Sequence, residues 1–198
     1  MKRDFLEAVQ NRRSHYALTA ESPVSDERIQ EIVETAVRYA PSAFNSQTSR
    51  VVILRGEEHK ALWNIVLEAL RPMVPPEAFS KTQAKIDAFA AAYGTLLFLE
   101  NQEKVQELQK AFPDFAQNFP GWSEHGTGMI QFIIWTALED EGLGASLQHY
   151  NPLIDEKVKA RWNLPASWKL TAQMPFGKIV APPQEKEYMD IRERVLVK

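Results

Sequence analysis

The sequence predicts one domain of mixed helices and strands packed round a single buried helix. Three observations carry this reading. Ile130, Ile133, Ile134, Ala137 and Leu138 fall at the i, i+3, i+4, i+7, i+8 spacing of one helix face. Met129, Phe132 and Trp135 fill the flank, with Gln131 and Thr136 as the only polar breaks, so this helix is expected to be buried on nearly all sides. Thr95–Leu99 is a continuous apolar run, the pattern of a central strand covered on both faces. No internal repeat, low-complexity tract or linker divides the 198 residues, a length that suits one domain or one protomer of an intertwined dimer.

Composition narrows the class. With 44% hydrophobic and 25% charged residues the chain reads as an ordinary soluble globular protein. A net charge of −3 gives no reason to expect nucleic acid as a partner. Cysteine is absent, which excludes disulfides, thiol catalysis and thiolate metal sites and is compatible with a reducing compartment. Met1 to Phe5 lead into an amphipathic helix without the apolar core of a signal peptide. The central helix is too short and too well punctuated to span a membrane. A cytoplasmic location with no membrane partner is the expectation.

The first helix is expected over residues 2–11, with Phe5, Leu6, Ala8 and Val9 on its buried side. It runs into Arg12-Arg13-Ser14-His15-Tyr16, whose forked donors and hydroxyl suit a phosphate. A solvated, cation-rich helix end favoured by the helix dipole explains the same residues. Ser25 is the expected cap of a second helix, although Arg28 leaves the reciprocal capping box incomplete. Ile29, Ile32, Val33, Ala36 and Val37 form its core face, and Ala40-Pro41 stops it. The loop from Pro41 to Ser49 is dense in amides and hydroxyls, which suits the edge of a heterocycle, or equally capping and turn duties. It feeds a strand at Arg50–Leu54.

A helix is expected from His59 to Leu70, ended by Arg71-Pro72, and an alanine-rich one over residues 77–92. Lys81 and Lys85 share a face of the latter, as a solvated stripe or as a cation offered to a site. Gln102–Lys110 forms a further helix. Phe112, Phe115, Phe119 and Trp122 then read as an aromatic loop that packs on the core or lines an apolar pocket. His125 opens the central helix and has no second ligand at metal spacing, so no metal is expected.

Gly142 suits the left-handed position that ends the central helix, with Leu143 packing back, and Gly144 frees the turn into a strand at Ala145–Tyr150. The two glycines also permit close approach of a flat ligand, and a plain helix–strand turn accounts for them as well. Gly-Leu-Gly follows a helix and lacks a third glycine, so it is not a dinucleotide fingerprint. A short helix at Asp155–Trp162 precedes a strand with a bulge or turn at Trp168–Lys178. The tail from Pro182 to Lys198 is charged and has little core of its own, so it is loose or held by another subunit.

Four segments in this order, RRSHYAL at 12–18, PSAFNSQTSR at 41–50, WTALEDEGLGASLQHYNP at 135–152 and MPFGKIVAPPQEKE at 174–187, resemble the flavin-dependent nitroreductase family. The likeness is greatest to its fatty-acid-repression-type subgroup. It spans nearly the whole chain, and residues 135–152 are its most specific part. The resemblance implies an α+β fold with a central mixed, mainly antiparallel sheet flanked by helices. It also implies an intertwined homodimer, in which an extension over about residues 180–198 reaches the partner and flavin mononucleotide (FMN) lies in the interface.

Carried over residue by residue, Arg12, Arg13 and Ser14 match phosphate and ribityl contacts, with Tyr16 beside them. Pro41, Ser42, Asn45 and Gln47 match the loop that reaches the other subunit's flavin. Gly142, Leu143 and Gly144 match the turn beside the ring system, followed by Ser146 and Leu147. Lys186 stands where the family has a phosphate-binding lysine, although the usual lysine–x–arginine reads Lys186-Glu187-Tyr188 here. Thr48-Ser49 replaces the proline and tryptophan of many members, which alters the substrate pocket. Lys85 is a candidate for the flavin's carbonyl edge.

The implied activity is ping-pong hydride transfer from NADH or NADPH to a small nitroaromatic or quinone. It requires no side chain as nucleophile, so no catalytic residue is assigned. The alternative is a flavin-binding regulatory or stress-response protein, in lipid or redox signalling, with incidental turnover.

Overall fold

The apolar run at residues 95–99 lies in the middle of the sheet. In the computed structural model, which describes residues 4–198, the chain forms α1 (Phe5–Asn11), β1 (Leu18–Thr19), α2 (Asp26–Tyr39), β2 (Ser49–Arg55) and α3 (Gly56–Leu70). There follow α4 (Pro76–Ala90), β3 (Gly94–Asn101), α5 (Gln102–Ala111) and α6 (Phe119–Asp140). The last elements are β4 (Leu143–Ala145), α7 (Asp155–Arg161) and β5 (Trp168–Ile179). The part of the expected first helix at residues 2 and 3 lies outside the described residues.

Successive side chains of a strand point to opposite faces, so a strand covered on both sides is apolar throughout. Leu96 and Phe98 join α2 and α6 through Ile29, Val33, Ile134 and Leu138. Leu97 and Leu99 join α3, α4 and α7 through Trp63, Val66, Phe89 and Val158. All four β3 leucine and phenylalanine side chains are fully buried. The sheet runs β1-β5-β3-β2, with β4 also on β5, and its named strand pairs are antiparallel. Among the described residues one isolated parallel bridge, Ser14 to Ala145, joins the edge of this antiparallel sheet and makes it mixed. The expected bulge is present: β3 passes from Phe98 opposite Ala172 to Leu99 opposite Leu170, and the skipped Thr171 donates its hydroxyl to the Phe98 carbonyl at 3.0 Å.

Several boundaries differ from expectation. Helix α6 opens at Phe119, with Pro120 in its first turn where no amide donor is needed. Phe119 and Trp122 therefore belong to the helix, and His125 does not open it. Ile130, Ile134 and Leu138 are buried, but Met129 and Phe132 are each 37% exposed, so one chain does not cover the helix on all sides. Helix α1 likewise shows Phe5 and Leu6 to solvent, at 70% and 67% exposure, on the side expected to be buried.

Strand β4 stops at Ala145, with only Gln148 bridging to Gln173 beyond it. The reason is local: the Ser146 amide still donates to the Pro175 carbonyl at 3.3 Å, but Pro175 has no N–H to return the bond. Helix α3 starts at Gly56, ahead of the expected His59, with Glu57 and Glu58 in the first turn where the dipole favours them. Ser25 caps α2 as expected, accepting from the Arg28 amide at 3.3 Å.

Candidate functional site

The segment after α1 is pinned to the heart of the fold. The His15 amide donates to the Ala145 carbonyl at 2.9 Å. The Trp135 indole N–H on α6 reaches both the Arg13 carbonyl (3.2 Å) and the Ala145 carbonyl (3.1 Å). Above that indole lies the Arg12 guanidinium, 4.3 Å from the ring centroid. Burial lowers the Arg12 pKa, opposed by Glu139 and helped by Arg13, yet a guanidinium keeps its charge at neutral pH. Its Nη1 is buried and has no hydrogen-bond partner among the described residues. A buried donor left unpaired is costly, so the position calls for an acceptor.

Around it, Arg12, Arg13, Ser14, Tyr16 and Lys186 line an open cleft of about 510 Å³, walled by the tail from Gln184 to Glu187. Arg13 donates to the Gln184 carbonyl, which brings the tail to the cleft. Three cations, Arg12, Arg13 and Lys186, and two hydroxyls, Ser14 and Tyr16, offer donors suited to a phosphate, and the acids Glu185 and Glu187 line the same cleft.

A second cleft, of about 530 Å³, is lined by Pro41, Ser42, Asn45 and Gln47 together with Ser49, Arg50 and Lys104. Its loop holds Phe44, Asn45 and Gln47 at φ of 57°, 50° and 50°, the left-handed region that side chains disfavour. Two features fix it there. Ser42 Oγ accepts from the Gln47 amide at 3.2 Å. The Phe44 ring sits within 4.8 Å to 5.9 Å of the rings of Phe112, Phe115, Phe119 and Trp122. The expected aromatic group is thus a packing cluster that braces the loop.

Behind this cleft lies Glu100, at 1% exposure, a residue that sequence reasoning missed. Ser49 Oγ donates to its carboxylate at 2.7 Å, and Ser123 and Thr127 of α6 donate as well. Burial raises the Glu100 pKa, opposed by the hydroxyls of Ser123, Ser49 and Thr48 and by the charge of Arg50. The signal was an acidic residue closing an otherwise apolar strand.

Other expected residues take different places. Gly142 ends α6 at φ 84°, as expected. A Cβ on Gly144 would come within 2.7–2.9 Å of Ile179, His15 and Leu18 side chains, so close packing inside the chain requires this glycine. Gly142, Leu143, Gly144, Ser146 and Leu147 line neither cleft. Leu143 and Gly144 lie in β4, whose Ala145 carbonyl accepts from the His15 amide of the arginine segment. Lys85 is also outside both clefts, its ammonium 5.9 Å from the Phe89 ring centroid. Among the described residues there is no group of three or more side chains able to hold a metal ion, and no helix long and apolar enough to cross a membrane.

Comparison with known proteins shows the family of the chain. A sequence model described as Nitroreductase family matches residues 9–178. Nitroreductase FRM2 of Saccharomyces cerevisiae is 36% identical over 189 residues, which cover 94% of each protein. Nitroreductase CinD from Lactococcus lactis, solved in complex with nicotinic acid, superposes with a TM-score of 0.91 at 48% identity, over 98% of this chain and all of that one. A protein of Desulfovibrio desulfuricans solved in complex with FMN shares the fold at 18% identity, with a TM-score of 0.72 over 100% of this chain and 98% of that one. The chain belongs to the nitroreductase family, in its fatty-acid-repression-type subgroup.

Proposed function

We propose that this oxidoreductase works as an FMN-dependent homodimer, moving two electrons as hydride from NADH or NADPH to small nitroaromatic or quinone acceptors in a ping-pong exchange. The observation that carries the reading is that Arg12 lines one cleft with Arg13, Ser14 and Lys186 while its buried Nη1 has no hydrogen-bond partner among the described residues. Bound FMN supplies the hydride chemistry, and the protein supplies binding, orientation and electrostatics. Arg12, Arg13, Ser14 and Lys186 hold its phosphate end, with Tyr16 at the rim. Pro41, Ser42, Asn45 and Gln47 come from the partner protomer, which accounts for two clefts that stand apart in one chain. The Gly142–Gly144 turn, with Ser146 and Leu147, fixes the backbone against which the arginine segment rests. Lys85 has no role in this reading. The nicotinic acid complex of CinD supports a slot for a small aromatic ring.

The test has two parts. Arg12→Ala and Arg13→Ala are each expected to weaken FMN binding by about 1.5–3 kcal/mol, the size of a charge-assisted hydrogen bond. Fluorescence titration of FMN measures this, and unchanged affinity in both variants overturns the phosphate assignment. Steady-state rates with NADH and NADPH across nitroaromatics and quinones test the activity. Negligible rates from a protein that retains FMN favour a flavin-binding regulatory or stress-response role.

A further inference from the structure

The cleft beside the Pro41–Arg50 loop carries charge of one sign. Arg50 and Lys104 are its charged lining residues, and Val37, Ala40 and Ile130 give it an apolar wall. The two cations are not equivalent. Lys104 is exposed and already paired with Glu107 one turn along α5, at 2.9 Å. Arg50 is half-buried and fixed: its Nη1 donates to the carbonyls of Gln47 (2.8 Å) and Ser49 (2.9 Å), and its guanidinium lies 5.6 Å from the Trp168 ring centroid. Among the described residues Arg50 makes no ion pair. The acid that its charge reaches, Glu100, is buried and already engaged by the hydroxyls of Ser49, Ser123 and Thr127. A held guanidinium with further N–H donors, set beside an apolar wall, matches a flat ring bearing a carboxylate or a comparable anion.

We infer that Arg50, helped by Lys104, is a specificity-determining residue that selects aromatic acceptors carrying an acidic group. This inference rests on the reading of the protein as a reductase of small aromatic acceptors. The anion has a second possible source, the phosphates of the nicotinamide donor, and the experiment separates the two.

The FMN-loaded protein is titrated by calorimetry with benzoate and with benzyl alcohol. KM is measured for 4-nitrobenzoate and 4-nitrobenzyl alcohol with NADH and again with NADPH. Benzoate is expected to bind about tenfold or more tightly than the alcohol, and the KM ratio to follow, as expected for one charge-assisted contact. Raising salt should shrink both ratios. Arg50→Gln should bring the ratios to about one, Arg50→Lys should restore part of the preference, and Lys104→Gln should reduce it less than Arg50→Gln.

Equal binding of benzoate and benzyl alcohol by the wild-type protein overturns the inference, even if the Arg50 variants fail to fold. So does a ratio that survives Arg50→Gln, or a loss confined to the KM of NADPH, which would assign Arg50 to the donor. Absence of turnover with both acceptors counts against the reductase reading, while benzoate binding still decides the role of Arg50. Turnover without discrimination counts against this inference alone.

Discussion

Arg12 and Glu100 are both ionisable and withdrawn from water, and they meet the cost of burial in opposite ways. Glu100 is surrounded by hydroxyl donors from β2 and α6, whereas Arg12 keeps one buried nitrogen without a hydrogen-bond partner among the described residues. The first arrangement is complete; in the proposed reading the phosphate of FMN completes the second. Because burial raises the Glu100 pKa, the folded state holds that proton more tightly than the unfolded chain does. The stability this gives is complete below the ordinary glutamate pKa of about 4.3 and is lost as pH rises through the elevated folded value.

Glu100→Gln should therefore gain melting temperature relative to wild type as pH increases from about 4 to about 7. A difference that stays flat across that range would show that Glu100 does not titrate differently on folding. The two residues also differ in legibility. Arg12 and Arg13 stood out because adjacent cations and a hydroxyl follow a helix end. Glu100 did not, because its partners lie 51, 23 and 27 residues away and only tertiary folding brings them together.

Among the elements, periodicity located those whose burial follows one face, and failed where glycine or proline took over. The middle of α6 was legible from Ile130, Ile134 and Leu138. Its first turns were not, since Gly121, Gly126 and Gly128 interrupt any apolar pattern there. The strand after Gly144 was drawn too long because alternation at 145–150 does not reveal that its partner at the break is Pro175, which has no amide to donate. The glycine turn that joins α6 to β4 has two distinct demands, one conformational and one steric.

Gly142→Ala should cost about 1–2 kcal/mol, the penalty of a left-handed residue with a Cβ. Gly144→Ala forces three packed side chains to move and should cost about 1–3 kcal/mol. Urea unfolding of both variants measures the loss. A Gly144→Ala protein with wild-type midpoint and slope would mean that β4 can yield without disturbing His15 and Leu18. The same variant should also weaken FMN binding if β4 is what holds the arginine segment in place.

The whole molecule leaves more apolar surface open than its core requires. Phe5 and Leu6 on α1 and Met129 and Phe132 on α6 are exposed on neighbouring elements, and Tyr188, Met189, Ile191 and Leu196 are exposed along the tail. Single exposed hydrophobics need no explanation, but apolar positions on helices that pack together, beside a tail without a core, mark a surface to be covered. In the proposed dimer a second copy of the chain is that cover, and it also brings the Pro41–Gln47 loop to the cleft of Arg12, Arg13 and Lys186.

Sedimentation should then report about two copies of the 22.6 kDa chain. Phe132→Glu, which places a charge on the open α6 face, should shift the protein toward one copy and lower its FMN content together. Removing residues 182–198 should lower FMN retention as well, because Lys186 and the wall from Gln184 to Glu187 leave with it. If the wild-type protein sediments as one copy while keeping FMN at full occupancy, the two clefts serve separate purposes and the shared site across protomers is wrong. If Phe132→Glu dissociates the dimer yet FMN stays bound, the phosphate cleft suffices on its own, and the Pro41–Gln47 loop acts on the acceptor rather than on the cofactor.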